Sequence, residues 1–321
     1  GPGAVRFISG TYKNHIELEK RLAEFHQREA CMIMSSAYAT VMGVLPQFIS
    51  ENTLVISDAL NHNCIINAIR LSGAGNKAIY PHLDLQELNE FLESNIGKVK
   101  RVCIVSDGIF SMRGDHAPMQ EIKSICLEYE EHYEEGVILI VDDSHGVGAF
   151  GKTGRGTEEF TNTQADILIA TLGKAFGVNG GYIVSNKTVI DYLKETVPFY
   201  IYSNPITPAE AAATLQAVNI LDSSEGEKLL SKLRHLTAKL RSGLVKLGFE
   251  TIEGEHPVVP ILIRDTDKTS KLVEHLFNNN ILATGLNYPV VPKGEEEIRL
   301  QVAANQTDQD IEYILKILNK F

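Results

Sequence analysis

The stretch VILIVDDSHGVG, residues 137–148, opens on five consecutive apolar residues and then runs into two acids, a serine and a histidine. Val137 to Val141 shows no polar alternation, so it reads as a strand covered on both faces, as in a parallel sheet between helix layers. Charge at the end of such a strand is costly unless something partners it. Asp142, Asp143 and His145 therefore mark the place where this fold would do chemistry.

Working outward, similar apolar runs occupy Ala30 to Met34, Thr53 to Ser57, Arg101 to Ser106, Ile167 to Thr171 and Gly181 to Ser185. Amphipathic helix patterns lie between them. One is NHIELEKRLAEF, with a capping box expected from Asn14 and Glu17; another starts at Asp84, and a third follows Pro118 through Tyr129. This alternation predicts an α/β fold with a mostly parallel, doubly wound sheet. After about residue 205 the pattern changes to long helices, a VVPILI strand and a helix over Asp308–Leu318. The large domain is thus expected over residues 1–205, with a linking helix and a smaller C-terminal α+β domain over 206–321.

The chain has 321 residues, 44% of them hydrophobic, and a formal net charge of -11 spread along its length. No Lys/Arg cluster suggests a nucleic-acid partner, and no apolar run reaches the ~20 residues that a membrane span needs. Cys31, Cys64, Cys103 and Cys126 follow no metal or disulfide spacing and are read as packing residues. With no signal peptide evident, the expected location is the cytoplasm. The chain starts GPGAVRF without Met, so a missing N-terminal piece is expected.

Ligands of open α/β sheets sit beyond the carboxyl ends of the strands. The groups following the strands are Ser35-Ser36-Ala37-Tyr38, then Asp58 and His62, then Asp107 to Ser111, then Asp142 to His145, then Leu172-Gly173-Lys174. Asp142, Asp143 and His145 suit a metal by type. Neighbouring strand residues face opposite ways, however, which leaves only two of the three convergent, so no metal is assigned. A plain solvated strand end is the other simple reading. Lys174, between ILIATLG and a glycine-rich turn, favours an organic cofactor; this setting is expected to desolvate its amine. A lysine, an acid and a serine-rich turn opening a helix are together what pyridoxal phosphate requires.

The chain resembles the α-oxoamine synthases, pyridoxal-phosphate enzymes of fold type I, along nearly all its length. The resemblance rests on AVRFISGTYKNHIELE, SSAYAT, DALNHNCIINAIRLS, SDGIFSMRGDHAPM, VDDSHGVGAFGKTGRG, TLGKAFGVNGG and YPVVPKGEEEIRLQ, in that order. It implies that Lys174 carries the cofactor and moves the substrate Cα proton. Asp142 would pair with the pyridine nitrogen, His145 bond the ring hydroxyl, and His62 stack on the ring. Backbone N–H groups of Ala37 and Tyr38 would hold the phosphate with the Thr171 hydroxyl, and Ser203 would reach the phosphate of a neighbouring subunit. Ser111 would sit by the ring hydroxyl and substrate, and Arg299 would bind the amino-acid carboxylate. Taken singly, His62 reads as a helix N-terminal residue, Arg299 as an exposed arginine and Ser111 as a turn residue.

Within the family, the motifs lean toward the glycine C-acetyltransferase branch. The expected reaction is thus condensation of an amino acid, glycine, with an acyl-CoA, acetyl-CoA, releasing CoA. The alternative is a decarboxylating condensation of the 8-amino-7-oxononanoate synthase or serine palmitoyltransferase kind, and a fold type I aminotransferase is more distant. The family also implies a homodimer with sites at the subunit interface. Arg113, where an acid is common, and the acidic EYEEHYEEG segment depart from the family pattern.

Overall fold

All six apolar runs become strands of one seven-stranded sheet in the computed structural model, which describes residues 3–321. The strands are β1 (Ala30–Met34), β2 (Thr53–Asp58), β3 (Asn76–Tyr80), β4 (Arg101–Asp107), β5 (Val137–Asp142), β6 (Ile167–Thr171) and β7 (Gly181–Ser185). Their order across the sheet is β1-β7-β6-β5-β4-β2-β3. β2 to β6 run parallel, and only β7 is antiparallel to its neighbours β1 and β6. The α/β fold, with its mostly parallel sheet, is as the sequence implied.

Two buried clusters explain why the strands look uniformly apolar. Along β5, Leu139 and Val141 pack into one cluster with Val102, Ile104 and Leu168, and Ile140 packs into the other with Cys103, Val105 and Ile169. Alternation is present in space but invisible in sequence, because both faces meet helices. β3 is the strand the pattern missed. It is an edge strand, NKAIY, in which only Tyr80 is buried, so no apolar run announces it.

The chain forms two compact units. The first holds this sheet and includes the chain up to Phe110 and His116–Ser224; the second comprises Ser111–Asp115 and Glu225–Phe321. The boundary expected at residue 205 is corrected by the helix Pro208–Leu221. Its Ala211 and Val218 are buried in the first unit's core and it packs on helix Lys13–Phe25, so it belongs there. The capping box expected at Asn14 is also absent: the helix begins two residues earlier with Tyr12 at its N-cap, and Glu17 pairs with Lys13 instead. In the second unit, β8 (Val258–Leu262), β9 (Thr284–Leu286) and β10 (Glu297–Gln301) form an antiparallel sheet in the order β8-β10-β9. The helix expected at Asp308–Leu318 is present.

Candidate active site

Because β7 runs opposite to its neighbours, its first residue lies at the same edge of the sheet as the last residues of the others. Met34 and Thr171 both pair with Gly181, and Asp107 pairs with Asp142. The carboxyl edge therefore gathers Ser36, Asp58, Asp107, Asp142 and Thr171 in one unit.

Asp142 and Asp143 separate onto opposite sides of the sheet. Asp142 Oδ1 accepts from the Ser144 amide at 3.1 Å and the Ser144 hydroxyl at 2.5 Å, and the Cys64 thiol lies 3.7 Å from Oδ2. A thiol is a weak donor. Oδ2 of this buried carboxylate thus has the capacity to accept from a cation. Asp143 is fully buried and does something different: Oδ2 accepts from the Thr157 amide at 2.6 Å and Oδ1 from the Thr157 hydroxyl at 2.7 Å. It anchors the Gly146–Thr157 loop, and at Gly156, φ 84°, a Cβ would come within 2.0 Å of its Oδ2.

Burial pushes the Asp143 carboxyl up to about 7, with the two Thr157 bonds pulling against it. Between about pH 4 and about pH 7 the folded protein then keeps a proton that the unfolded chain has released. The contribution of Asp143 to stability is full below that window and fades as pH rises through it. Asp143→Asn, which stays neutral, should flatten this part of a urea-unfolding series against pH; an undiminished slope contradicts the assignment.

At the next strand end, Thr171 donates to the Gly180 carbonyl at 3.3 Å and accepts from the Gly173 amide at 3.1 Å. Beside it, helix Ala37–Phe48 starts at Ser36, whose hydroxyl caps Ala39 at 3.1 Å. First-turn amides, here those of Ala37 and Tyr38, have no acceptor within their own helix. They form a donor set suited to an anion, which the Thr171 hydroxyl can join by turning from the Gly180 carbonyl. Gly181 makes this proximity possible, since a Cβ there would lie 2.4 Å from the Ala37 nitrogen. Gly181→Ala should displace the Ser36–Ala37 turn and cost about 1–3 kcal/mol in chemical denaturation, and unchanged stability would show that the turn yields.

Lys174 sits in the turn between β6 and β7, where it is exposed. The enclosed setting expected for Lys174 is not seen, since Gly173, Ala175 and Gly177 around it are exposed as well. Its positive charge nevertheless acts on Asp107. His145 is half-buried, three residues beyond Asp142.

His62 is exposed and serves as the N-cap of helix Asn63–Leu71, with Nδ1 accepting from the Cys64 amide at 3.2 Å. Its own amide donates to Asp107 Oδ2 at 2.9 Å. The Asp107 amide in turn donates to Asn61 Oδ1 at 2.7 Å, and Asn61 Nδ2 donates to the Val105 carbonyl at 2.7 Å. The Tyr38 hydroxyl donates to Asn63 Oδ1 at 3.0 Å, linking the Ala37 helix to the His62 helix. Sequence reading placed Asp107 at a strand end but gave it no role, because its facing Asp142 follows from the pairing of β4 with β5. Ser203 lies half-buried just after the short helix Pro198–Ile201.

Ser111 and Arg299 meet in the second unit, where Arg299 Nε donates to the Ser111 carbonyl at 2.6 Å and Nη2 to Gln301 Oε1 at 3.2 Å. Arg299 is thus more enclosed than an ordinary surface arginine, and burial holds its guanidinium below the usual range. On the same strand, burial lifts Glu297 to about 7 against the opposing charge of Arg113.

The donor set fits pyridoxal phosphate: amides and a hydroxyl for an anion, a buried carboxylate for a protonated ring nitrogen, and an exposed lysine at the neighbouring turn. The sequence matches the family of class I and II aminotransferases over residues 3–318. It is 38% identical over 322 residues to the 8-amino-7-oxononanoate synthase of Thermosipho melanesiensis, and 40% identical over 325 residues to that of Fervidobacterium nodosum. Each alignment spans 100% of this chain and 80% of the relative. Serine palmitoyltransferase from Sphingomonas wittichii has the same fold, with a TM-score of 0.92, 25% identity, and coverage of 100% of this chain and 79% of that one.

The chain belongs to the aminotransferase class I and II family, and it is a pyridoxal-phosphate-dependent enzyme of fold type I. Within that class it is a C-acyltransferase of the α-oxoamine synthase type. The lean toward glycine C-acetyltransferase finds no support in these relatives, whose names are those of the alternative branch. Among the described residues no helix is long and apolar enough to cross a membrane.

Proposed function

We propose that this enzyme joins an amino acid to an acyl thioester with loss of the amino-acid carboxyl group, in the manner of 8-amino-7-oxononanoate synthase. One observation carries the reading: relatives of that name, 34–40% identical, align with 96–100% of the chain. The compound's name defines the chemistry. Its first seven carbons are a heptanedioyl unit, and the remaining two carry the amine and match alanine without its carboxyl group. The substrates are therefore read as alanine and a heptanedioyl thioester, in place of glycine and acetyl-CoA.

Pyridoxal phosphate, when bound, supplies an electron sink for negative charge at the amino-acid Cα. Lys174 would hold it covalently, and Lys174 Nζ, once released, takes the Cα proton and later returns one. Asp142 Oδ2 would accept the pyridinium N–H and keep that nitrogen protonated. His145 and Ser111 would orient the ring hydroxyl, and His62 would cover the ring face. The Ala37 and Tyr38 amides and the Thr171 hydroxyl would bind the phosphate, with Ser203 reaching the phosphate of a second copy in a homodimer. Arg299 binds the substrate carboxylate in a bidentate grip. The new bond joins Cα to the thioester carbonyl, the thiol departs, and the carboxyl group leaves as CO2. Cys31, Cys64, Cys103 and Cys126 are buried free thiols, which suits the reducing cytoplasm in which we place the enzyme.

The test is a panel of glycine, alanine and serine against acetyl, heptanedioyl and long-chain acyl-CoA, following thiol and CO2 release. Fastest turnover is expected with alanine and the heptanedioyl thioester, with one CO2 per thiol. Preference for glycine and acetyl-CoA without CO2 would restore the other branch. Conversion of the cofactor to its amine form by amino acid alone would point to an aminotransferase.

A further inference from the structure

We propose that Asp107 is a positioning residue that sets where the His62 ring lies, and through it how tightly the cofactor is held. The inference rests on the reading of His62 as the residue that stacks on the ring.

The His62 side chain is exposed, so little packing defines its place. Three hydrogen bonds do so instead. The Cys64 amide fixes Nδ1 as an acceptor at 3.2 Å, with the Cys64 thiol 2.9 Å from the same nitrogen, which leaves the proton of the neutral ring on Nε2. The third bond is the His62 amide to Asp107 Oδ2 at 2.9 Å. Its acceptor is rigid: Asp107 is 4% exposed, sits in register with Asp142, and has its own amide tied to Asn61, which is also buried. Asn61 is fastened in turn to the Val105 carbonyl and the Ser57 hydroxyl, at 2.7 and 2.9 Å. The loop bearing His62 is therefore stitched to the ends of β2 and β4 by buried groups alone. The Tyr38 ring stands edge-on to His62, with ring centroids 6.5 Å apart.

Burial and the charge of Asp142 push the Asp107 carboxyl well above its ordinary range, while the His62 amide and Lys174 pull the other way. A neutral side chain with an oxygen acceptor should thus serve as well as the native one. Asp107→Asn keeps that acceptor, whereas Asp107→Leu keeps the branched skeleton and loses it.

The experiment removes the cofactor from the purified enzyme and titrates it back, recording its absorbance and affinity for the parent, His62→Ala, both Asp107 variants and the His62→Ala/Asp107→Leu double variant. His62→Ala and Asp107→Leu should each weaken binding about tenfold, the double variant no further, and Asp107→Asn should match the parent. Losses that multiply in the double variant overturn the proposal, since Asp107 would then act independently of His62. If His62→Ala weakens binding and Asp107→Leu does not, this inference fails while the stacking reading stands. If His62→Ala changes neither affinity nor absorbance, both fall. Asp107→Ala replaces the leucine variant should that not fold, and a tenfold loss in Asp107→Asn overturns the proposal by itself.

Discussion

Lys174→Ala is expected to abolish the visible absorbance of the bound cofactor and, with it, turnover. A methyl side chain can neither hold the cofactor covalently nor take a proton from Cα. A positioned base alone contributes on the order of a hundred- to ten-thousandfold, so kcat should fall at least that far. The effect on the fold should be far smaller, even though the Lys174 charge acts on Asp107. Lys174 is exposed in a turn, and surface substitutions of that kind stay within about 0.5 kcal/mol. Absorbance spectra, single-turnover kinetics and thermal unfolding of the same preparation separate the two effects. Unchanged absorbance would refute the assignment of Lys174, and a large fall in stability would make the loss of activity structural.

Asp142→Asn should produce the second-largest loss, a hundred- to thousandfold fall in kcat, the range seen when one preorganised electrostatic contact is removed. The substitution is nearly isosteric. The amide oxygen still accepts from the Ser144 amide and hydroxyl that now bond Oδ1. What changes is the Oδ2 position, which becomes an N–H donor unable to accept from a protonated ring nitrogen. Removing the charge also removes the cost of burying it beside Asp107. The cofactor-free variant should consequently be no less stable than the parent. Kinetics with saturating cofactor, alongside urea unfolding of the cofactor-free form, check both halves, and a kcat within a few-fold of the parent would remove Asp142 from its role.

How far the sequence could be read differs from element to element for physical reasons. β5 was legible because a strand with five of its six residues buried, covered on both faces, leaves a run of five apolar side chains that no surface segment would carry. β3 was not, since an edge strand with four of five residues at least partly exposed resembles a loop. Helix Pro208–Leu221 was recognisable as a helix, yet its membership of the first unit depends on packing against helix Lys13–Phe25, nearly two hundred residues earlier. At the site, His62 was readable both as a helix cap and as a ring stacker. In the structure it caps its helix through Nδ1, which leaves the Nε2 edge outward.

By itself the sequence determined the chemistry available at each strand end: Asp142 before His145, a lysine before a glycine-rich turn, a serine opening a helix. These are local features, set by residues a few positions apart and by the period of strand and helix. Only the tertiary structure decided which of these groups meet. It placed Asp107 opposite Asp142, turned Asp143 away to hold Thr157, brought the Ala37 amides onto Gly181 beside Thr171, and joined Arg299 to Ser111. Each of those contacts depends on strand register or on packing between distant segments, and such pairings are selected by burial of the whole core rather than by the residues that make the contact.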